Sequence, residues 1–395
     1  MNINLFPAIL LAGPPHSGKS VLAYLVTNRL RQMNIAHYLL RAVPDGEGNW
    51  FLQGGGEAVR LLRLKHKGQY TPAFLAHMHQ VIENRALPLL VDIGGRPQPD
   101  QMDLLAACTH SVLLYRTAAD LAEWQPRLAA LRLLPVAELR SSQSEADQIE
   151  AHQPILKAVI TGLERDLEKR QSGLVMDALL EHLAGICRYD AEYLESVHLT
   201  RAPHPVTTER QLAARVGLPA DQRGAAIWTP DALAVAAGWI EPGQPLALYG
   251  RGPVWLAAML AARALPAPAS IYDVRYGWMP ISPVLPGTGD IFQARYTALP
   301  GGAGWLECLL TTDALEAEDL LLNLAIDPAL GLVLSGKLPR WAFAALARHF
   351  APRCPWVAVD DPAHNRLVVV HSQTPSVPLG AALDRLAPDP LSVSS

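Results

Sequence analysis

The chain has few cysteines, few aromatic residues and no strong charge of either sign. Its four cysteines (Cys108, Cys187, Cys308, Cys354) are far apart among 395 residues, with no paired spacing. That excludes a zinc cluster or a disulfide framework and makes a reducing cytoplasm the expected compartment. Aromatic residues make up 6% of the chain and charged residues 18%, while half is apolar, which excludes a disordered solvating chain. Lys plus Arg number 33 against 37 Asp plus Glu, for a net charge of -4. Bulk coating of duplex nucleic acid is therefore not expected, although a local basic pocket is compatible with the composition. No apolar run is long enough for a membrane helix, and the short one near the start leads directly into a glycine loop, so no membrane partner is expected. The length admits two or three domains, each with its own core.

What is present begins with that loop. Pro7 to Ala12 reads as a short buried strand, followed by Gly13, Pro14, Pro15, His16, Ser17, Gly18, Lys19 and Ser20, and then by an apolar-periodic helix from Val21 to Arg31. Strand, G-x-x-x-x-G-K-S and helix in this order is the context of a nucleotide-binding P-loop. Gly13 and Gly18 let backbone N–H groups wrap a phosphate at the positive end of the helix dipole. Lys19 would neutralise the β- and γ-phosphates of ATP, and the Ser20 hydroxyl would ligate Mg2+. Leu87 to Gly95 is a second apolar strand, ending in Asp92, which is expected to hold the same Mg2+ through water. A further strand from Ser111 to Arg116 gives the alternation of a parallel sheet.

The polar stretch from Arg41 to Phe51 has two readings. As a loop beside the γ-phosphate it offers Asp45 and Glu47 to position a water or an acceptor hydroxyl, with Arg41 on a phosphate; as a run rich in Asp, Gly and Asn it is an ordinary surface turn. From Ile149 to Val197 the recurrence of Ile155, Val159, Leu163 and Leu167 predicts a mainly helical spacer.

The last two hundred residues repeat themselves. Gly250, Pro253 and Trp255 correspond to Gly336, Pro339 and Trp341 at a constant offset of 86, and Ile271-Tyr272-Asp273 corresponds to Val359-Asp360-Asp361 after a short gap. Each copy reads as strand, G-[RK]-x-P-x-W turn, amphipathic helix and a strand ending in Asp. The expected architecture is α/β: a P-loop domain with a parallel sheet (1–140), a helical spacer (141–197), and two tandem α/β repeats (198–292 and 293–390) paired as an internal pseudo-dimer. Gly250, Arg251 and Gly252 in one turn, and Gly336 and Lys337 in the other, combine backbone donors with a cation, which suits phosphate; Arg275 and Arg340 extend the patch. The same residues also describe a tight turn with solvated cations, but a cation at one turn in both copies favours phosphate.

The G-[RK]-x-P-x-W turn, the aspartate-ended strand, the run Leu367 to His371 and the later Gly289-Asp290 resemble the third class of CRISPR ring nucleases. These small proteins of type III CRISPR systems bind and degrade cyclic tetra-adenylate. The second copy matches best, from Gly331 to Trp341, Trp356 to Pro362 and Leu367 to His371. Some members carry a fused P-loop domain, and the layout here is similar to that fusion. The resemblance implies that His371 and Asp290 are catalytic. His371 lies in the second copy, where the first has Pro283; Asp290 lies in the first, where the second has Ala381. Since the family assembles its site from different protomers, the two are expected to act together across the pseudo-dimer. Decay of both copies into a binding domain is the opposing reading.

Opening a ribose phosphodiester needs a base for the 2′-hydroxyl, in-line placement and stabilisation of the anionic transition state. His371 supplies the base or acid, Arg251, Lys337 and Arg275 hold phosphate, and Asp290 orients His371 or binds Mn2+. Three functions follow. The first is a ring nuclease for cyclic oligoadenylate with an attached ATP-binding domain. The second is a sensor whose repeats bind the ring and switch on an ATPase or kinase. The third is a module that sequesters the ring. Self-association into a homo-oligomer is compatible with each.

Overall fold

The computed structural model describes residues 6–42, 72–93, 97, 101–163, 173–221, 224–274, 277–299, 302–311, 315 and 317–385. The chain divides into two compact units, one of Met1–His198 with Val274–Gly277, the other of Leu199–Asp273 with Trp278–Ser395.

The first unit is built on β1 (Ala8–Ala12), five apolar residues buried on both faces, as expected of a parallel strand covered by helices. It leads through the glycine loop into α1 (Lys19–Gln32). There follow β2 (Tyr38–Arg41), α2 (Pro72–Glu83), β3 (Leu89–Asp92), α3 (Met102–Ala106), β4 (His110–Tyr115), α4 (Ala118–Ala130), β5 (Leu134–Ser142), β6 (Gln148–Ala151), β7 (Leu156–Thr161), α5 (Leu174–Cys187) and α6 (Ala191–Thr200). The sheet order is β2-β3-β1-β4-β5-β7-β6. Only β6, at one edge, is paired antiparallel, through its neighbour β7. One face packs Ile9, Leu11 and Leu114 against α1 and α5, and the other packs Leu10, Val91 and Leu113 against Met78, Ile82 and Trp124.

The helical expectation for 149–197 is corrected here. Its first part forms β6 and β7, which extend the sheet past residue 140, and among its described residues only α5 and α6 are helical; Leu167 lies outside the described residues. The physical reason is burial: Leu156, Ala158, Val159 and Ile160 are all within 2% of full burial. A strand covered on both faces loses its alternation, and its apolar spacing then resembles that of a helix.

The second unit contains β8 (Val206–Thr208), α7 (Glu209–Val216), α8 (Ala232–Gly238), β9 (Leu246–Tyr249), α9 (Val254–Arg263), β10 (Ala269–Asp273) and β11 (Gly277–Pro280). It continues with β12 (Phe292–Leu299), β13 (Ala303–Leu310), β14 (Gly331–Gly336), α10 (Arg340–Phe350), β15 (Trp356–Asp361), β16 (Arg366–Ser372) and β17 (Ala382–Asp384). Two sheets result, ordered β11-β10-β9-β8 and β12-β13-β14-β15-β16-β17. In each, three neighbouring strands run parallel: β8, β9 and β10 in one, β13, β14 and β15 in the other.

The segments that align in sequence have matching backbones. Gly250 and Gly336 adopt φ of +140° and +131°, and Pro253 and Pro339 cap the following helices at φ, ψ of −63°, 155° and −64°, 153°. Those helices, α9 and α10, pack along each other. Their buried alanines let the two axes approach closely (Ala257, Ala258 and Ala261 on one, Ala344, Ala345 and Ala347 on the other). The Arg348 guanidinium locks the pair by donating to the carbonyls of Ala261 and Ala267, each at 2.8 Å.

Candidate functional site

The loop from Gly13 to Gly18 needs its glycines. Gly13 has φ +139°, and a Cβ there would lie 1.9 Å from the Leu114 carbonyl oxygen; Gly18 has φ +97°. His16 takes a left-handed conformation at φ 60°, and the Ser17 hydroxyl donates to the Pro14 carbonyl at 2.9 Å. Lys19 is buried, and its Nζ donates to the carbonyls of Gly13 (2.9 Å) and Pro14 (2.7 Å), so the ammonium folds back over the loop. Burial pulls its pKa down to about 8, against the opposing pull of the Asp92 charge. Asp92 is 2% exposed and ends β3, in register with Leu11 of β1 and Arg41 of β2, and its Oδ2 lies 3.6 Å from the Arg41 Nε. The fold thus gathers Lys19, Asp92 and Arg41 at the carboxyl ends of adjacent parallel strands, where ligands of open α/β sheets bind. Ser20 is exposed on the first turn of α1. Asp45 and Glu47 lie outside the described residues.

A cavity of about 660 Å3 opens beside this loop, lined by Pro14 to Gly18, Arg116, Thr117, Asp120, the segment Arg140 to Glu145, and Leu163. Two of its walls escaped sequence reasoning. One is the start of α4, where Thr117 and Asp120 form a reciprocal capping box. The other is the end of β5, where the Arg140 guanidinium grips the Glu145 carboxylate through two bonds of 2.6 and 2.7 Å. The signal available was positional: both lie at the ends of strands, β4 and β5, that run parallel to β1 on one side of it. The dimensions and the polar rim suit a nucleotide whose phosphates enter the glycine loop. Lys19 and the buried Asp92 fit a phosphate and a Mg2+ ion respectively.

The paired turns of the second unit are less alike in detail than in sequence. In the first, the buried carboxylate of Glu209 fills the concave side: it accepts the Gly252 N–H, and a Cβ on Gly250 or Gly252 would collide with it. Arg340 donates to the same carboxylate and, at 2.6 Å, to the Gly250 carbonyl. Gly252 and Arg340, expected as phosphate donors, are thus both engaged by Glu209 in this structure. Burial pushes the Glu209 carboxyl pKa up, with the Arg340 charge and these bonds opposing. In the second turn Gly336 stands against the Cys308 carbonyl, and Gly336 and Lys337 are exposed. Beneath it the Ser335 hydroxyl donates to the buried Asp360 at 2.8 Å, and Arg385 binds the same carboxylate. Arg251 is exposed; Arg275 lies outside the described residues.

Strand register separates the remaining candidates. Asp290 is exposed two residues before β12, and its carbonyl accepts the Thr311 hydroxyl at 2.6 Å. Phe292 pairs with Leu310, and Cys308 with Gly336, so Asp290 sits at the same end of the sheet as Lys337. His371 pairs with Val357, which pairs with Leu332 at the beginning of β14. It is therefore at the opposite end, about 13 Å along the strands from Gly336 at ~3.3 Å per residue. One ring nitrogen of His371 bonds the Ala351 carbonyl, while Nε2 is buried with no hydrogen-bond partner; burial pulls the ring's pKa below its usual value. Among the described residues no group of three or more His, Cys, Asp or Glu side chains is placed to hold a metal ion, and no helix is long and apolar enough to cross a membrane. All four cysteines are buried free thiols.

Residues 309–384 match the family of the CRISPR-associated protein Cas_csx3. The matched segment runs from the end of β13 through β17 and includes the Gly336 turn, Asp360 and His371. The match covers this part of the chain alone and supports a CRISPR-associated protein. No curated protein matches it.

Proposed function

We propose that the chain is a ring nuclease that binds cyclic oligoadenylate, most naturally cyclic tetra-adenylate, and cleaves it to linear products, with a P-loop domain that binds Mg2+ and ATP. The observation that carries this reading is the segment similar to Cas_csx3, which contains His371 with a buried Nε2 that has no hydrogen-bond partner. Once the surface over the imidazole opens to the ligand, Nε2, which is buried in the free chain, would take the proton of a ribose 2′-hydroxyl. The freed oxygen then attacks the adjacent phosphorus, the bond from phosphorus to the 5′-oxygen breaks, and the leaving oxygen takes up a proton. Each cut leaves a 2′,3′-cyclic phosphate and a 5′-hydroxyl, and two cuts of a four-membered ring leave linear di-adenylates. Lys337 supplies charge for the phosphate. Because His371 and Lys337 stand at opposite ends of one sheet, a single phosphodiester would meet His371 from one copy of the chain and the Lys337–Asp290 edge from another. Self-association is thus part of the reading. In the first unit the glycine loop and Lys19 would hold the ATP phosphates, and Ser20 and Asp92 the Mg2+, which would neutralise phosphate charge when bound.

A second reading is favoured by the loop itself: Lys19 and Asp92 are both buried and adjacent in the electrostatic sense, as an ATPase or kinase switched on by the ring would require. Two variants separate the readings. Under the first, His371→Ala abolishes ring opening while Lys19→Ala retains it; under the second, Lys19→Ala abolishes the principal activity and the ring stays intact throughout.

A further inference from the structure

The carboxyl ends of β9 and β10 carry three aromatic rings in mutual contact. Tyr249 ends β9 and Tyr272 is the penultimate residue of the adjacent parallel β10, with ring centroids 4.9 Å apart, and Trp278 of β11 lies 5.5 Å from Tyr272, edge to face, and 6.2 Å from Tyr249. Tyr272 is buried at 9% exposure, whereas Tyr249 and Trp278 are half-buried and reach solvent. The chain turns from Tyr249 directly into Gly250 and the exposed Arg251. The charges of Arg251 and of Arg201, also exposed, both act on the Tyr272 hydroxyl. In the second copy Ser335 and Asp360 take the places of Tyr249 and Tyr272; the Ser335 hydroxyl donates to Asp360, and Arg385 binds the same carboxylate. A core needs only apolar volume there. Half-buried rings flanked by two arginines, at the strand ends where α/β sheets bind ligands, match a flat base joined to a phosphate.

We propose that Tyr249, Tyr272 and Trp278 form a stacking platform for an adenine base, with Arg251 on the adjoining phosphodiester, so that the first copy recognises the base and the second contributes to chemistry. This deepens the ring-nuclease reading and rests on it for the identity of the base. The internal Glu209 carboxylate fits the same division, because it occupies the Gly252 N–H of this turn and leaves the phosphate contact to the Arg251 side chain.

The test is binding of linear di-adenylate, which has one internal phosphodiester and no terminal phosphates for the glycine loop, to the full chain by calorimetry. Wild type is expected to bind saturably. Trp278→Ala should weaken binding about tenfold and Trp278→Phe less than threefold, since a base stacks on any aromatic face. Arg251→Ala should weaken it severalfold at low salt, with the difference closing at high salt. Thermal midpoints show whether each variant is folded. A folded Trp278→Ala that binds like wild type overturns the platform, as does a folded Trp278→Phe that loses as much as the alanine variant. The two proposals fail separately. If di-adenylate binding falls in Trp278→Ala but wild type leaves the cyclic ring intact, the platform stands and cleavage falls. If rings open while di-adenylate binding ignores Trp278, cleavage stands and the platform falls.

Discussion

Lys19 and Glu209 show how burial sets the chemistry of a single side chain. The Lys19 ammonium, held near pKa 8 by desolvation, titrates close to neutrality, while its unfolded counterpart does so near 10.5. A group whose folded pKa is depressed in this way costs stability while charged, and the cost is relieved as pH rises from about 8 towards 10.5. An anion in the loop supplies the missing counter-charge and raises the pKa again. Binding of Mg2+-ATP at pH 8.5 should therefore take up protons from the buffer, and affinity should fall as pH rises through about 8. Calorimetry in buffers of different ionisation enthalpy measures the uptake, and Lys19→Ala should abolish it. Glu209 is the opposite case, a carboxylate held in place by Arg340 and the Gly252 N–H. Removing one partner of a buried pair strands the other, so Glu209→Ala should lower unfolding stability by about 3 kcal/mol in denaturant titration.

At the scale of elements, the repeated strand–turn–helix was legible because each of its requirements leaves a residue: a glycine at positive φ, a proline at the helix cap, a buried Trp one turn on. The glycine loop between β1 and α1 was legible for the same reason. What sequence did not disclose depends on partners distant in the chain. Glu209 and Arg340 are 131 residues apart, and nothing local marks either as half of a pair. The strand β7 was hidden differently, since burial of Leu156, Ala158, Val159 and Ile160 obscured the alternation by which a strand is recognised, and β6 is a short polar edge strand. One coupling tests the turn directly. A Cβ at Gly252 would lie 2.5 Å from the Glu209 carboxylate, and Gly252 has no positive φ to enforce glycine. Gly252→Ala should thus destabilise wild type yet cost much less in a Glu209→Ala background, a non-additivity that a double-mutant cycle reads directly.

For the whole molecule, the division into two compact units predicts two separable unfolding steps, only one of which responds to ATP. At a hundredfold excess over its dissociation constant, Mg2+-ATP should stabilise the step of the first unit by about 2.7 kcal/mol. Differential scanning calorimetry should show one transition moving and the other still, with neither moving in Lys19→Ala. The sequence also foresaw candidate site residues that the fold keeps apart. His371 and the Lys337–Asp290 edge occupy opposite ends of one sheet, so the proposed cleavage would require contact between copies of the chain. The most direct measurement is incubation of the purified chain with cyclic tetra-adenylate, resolving products by chromatography across pH and protein concentration. The account predicts linear di-adenylates, a rate that rises with concentration, an acid limb with a midpoint below the usual histidine pKa of 6.5, and no product from His371→Ala. An intact ring with wild type at every concentration would contradict it.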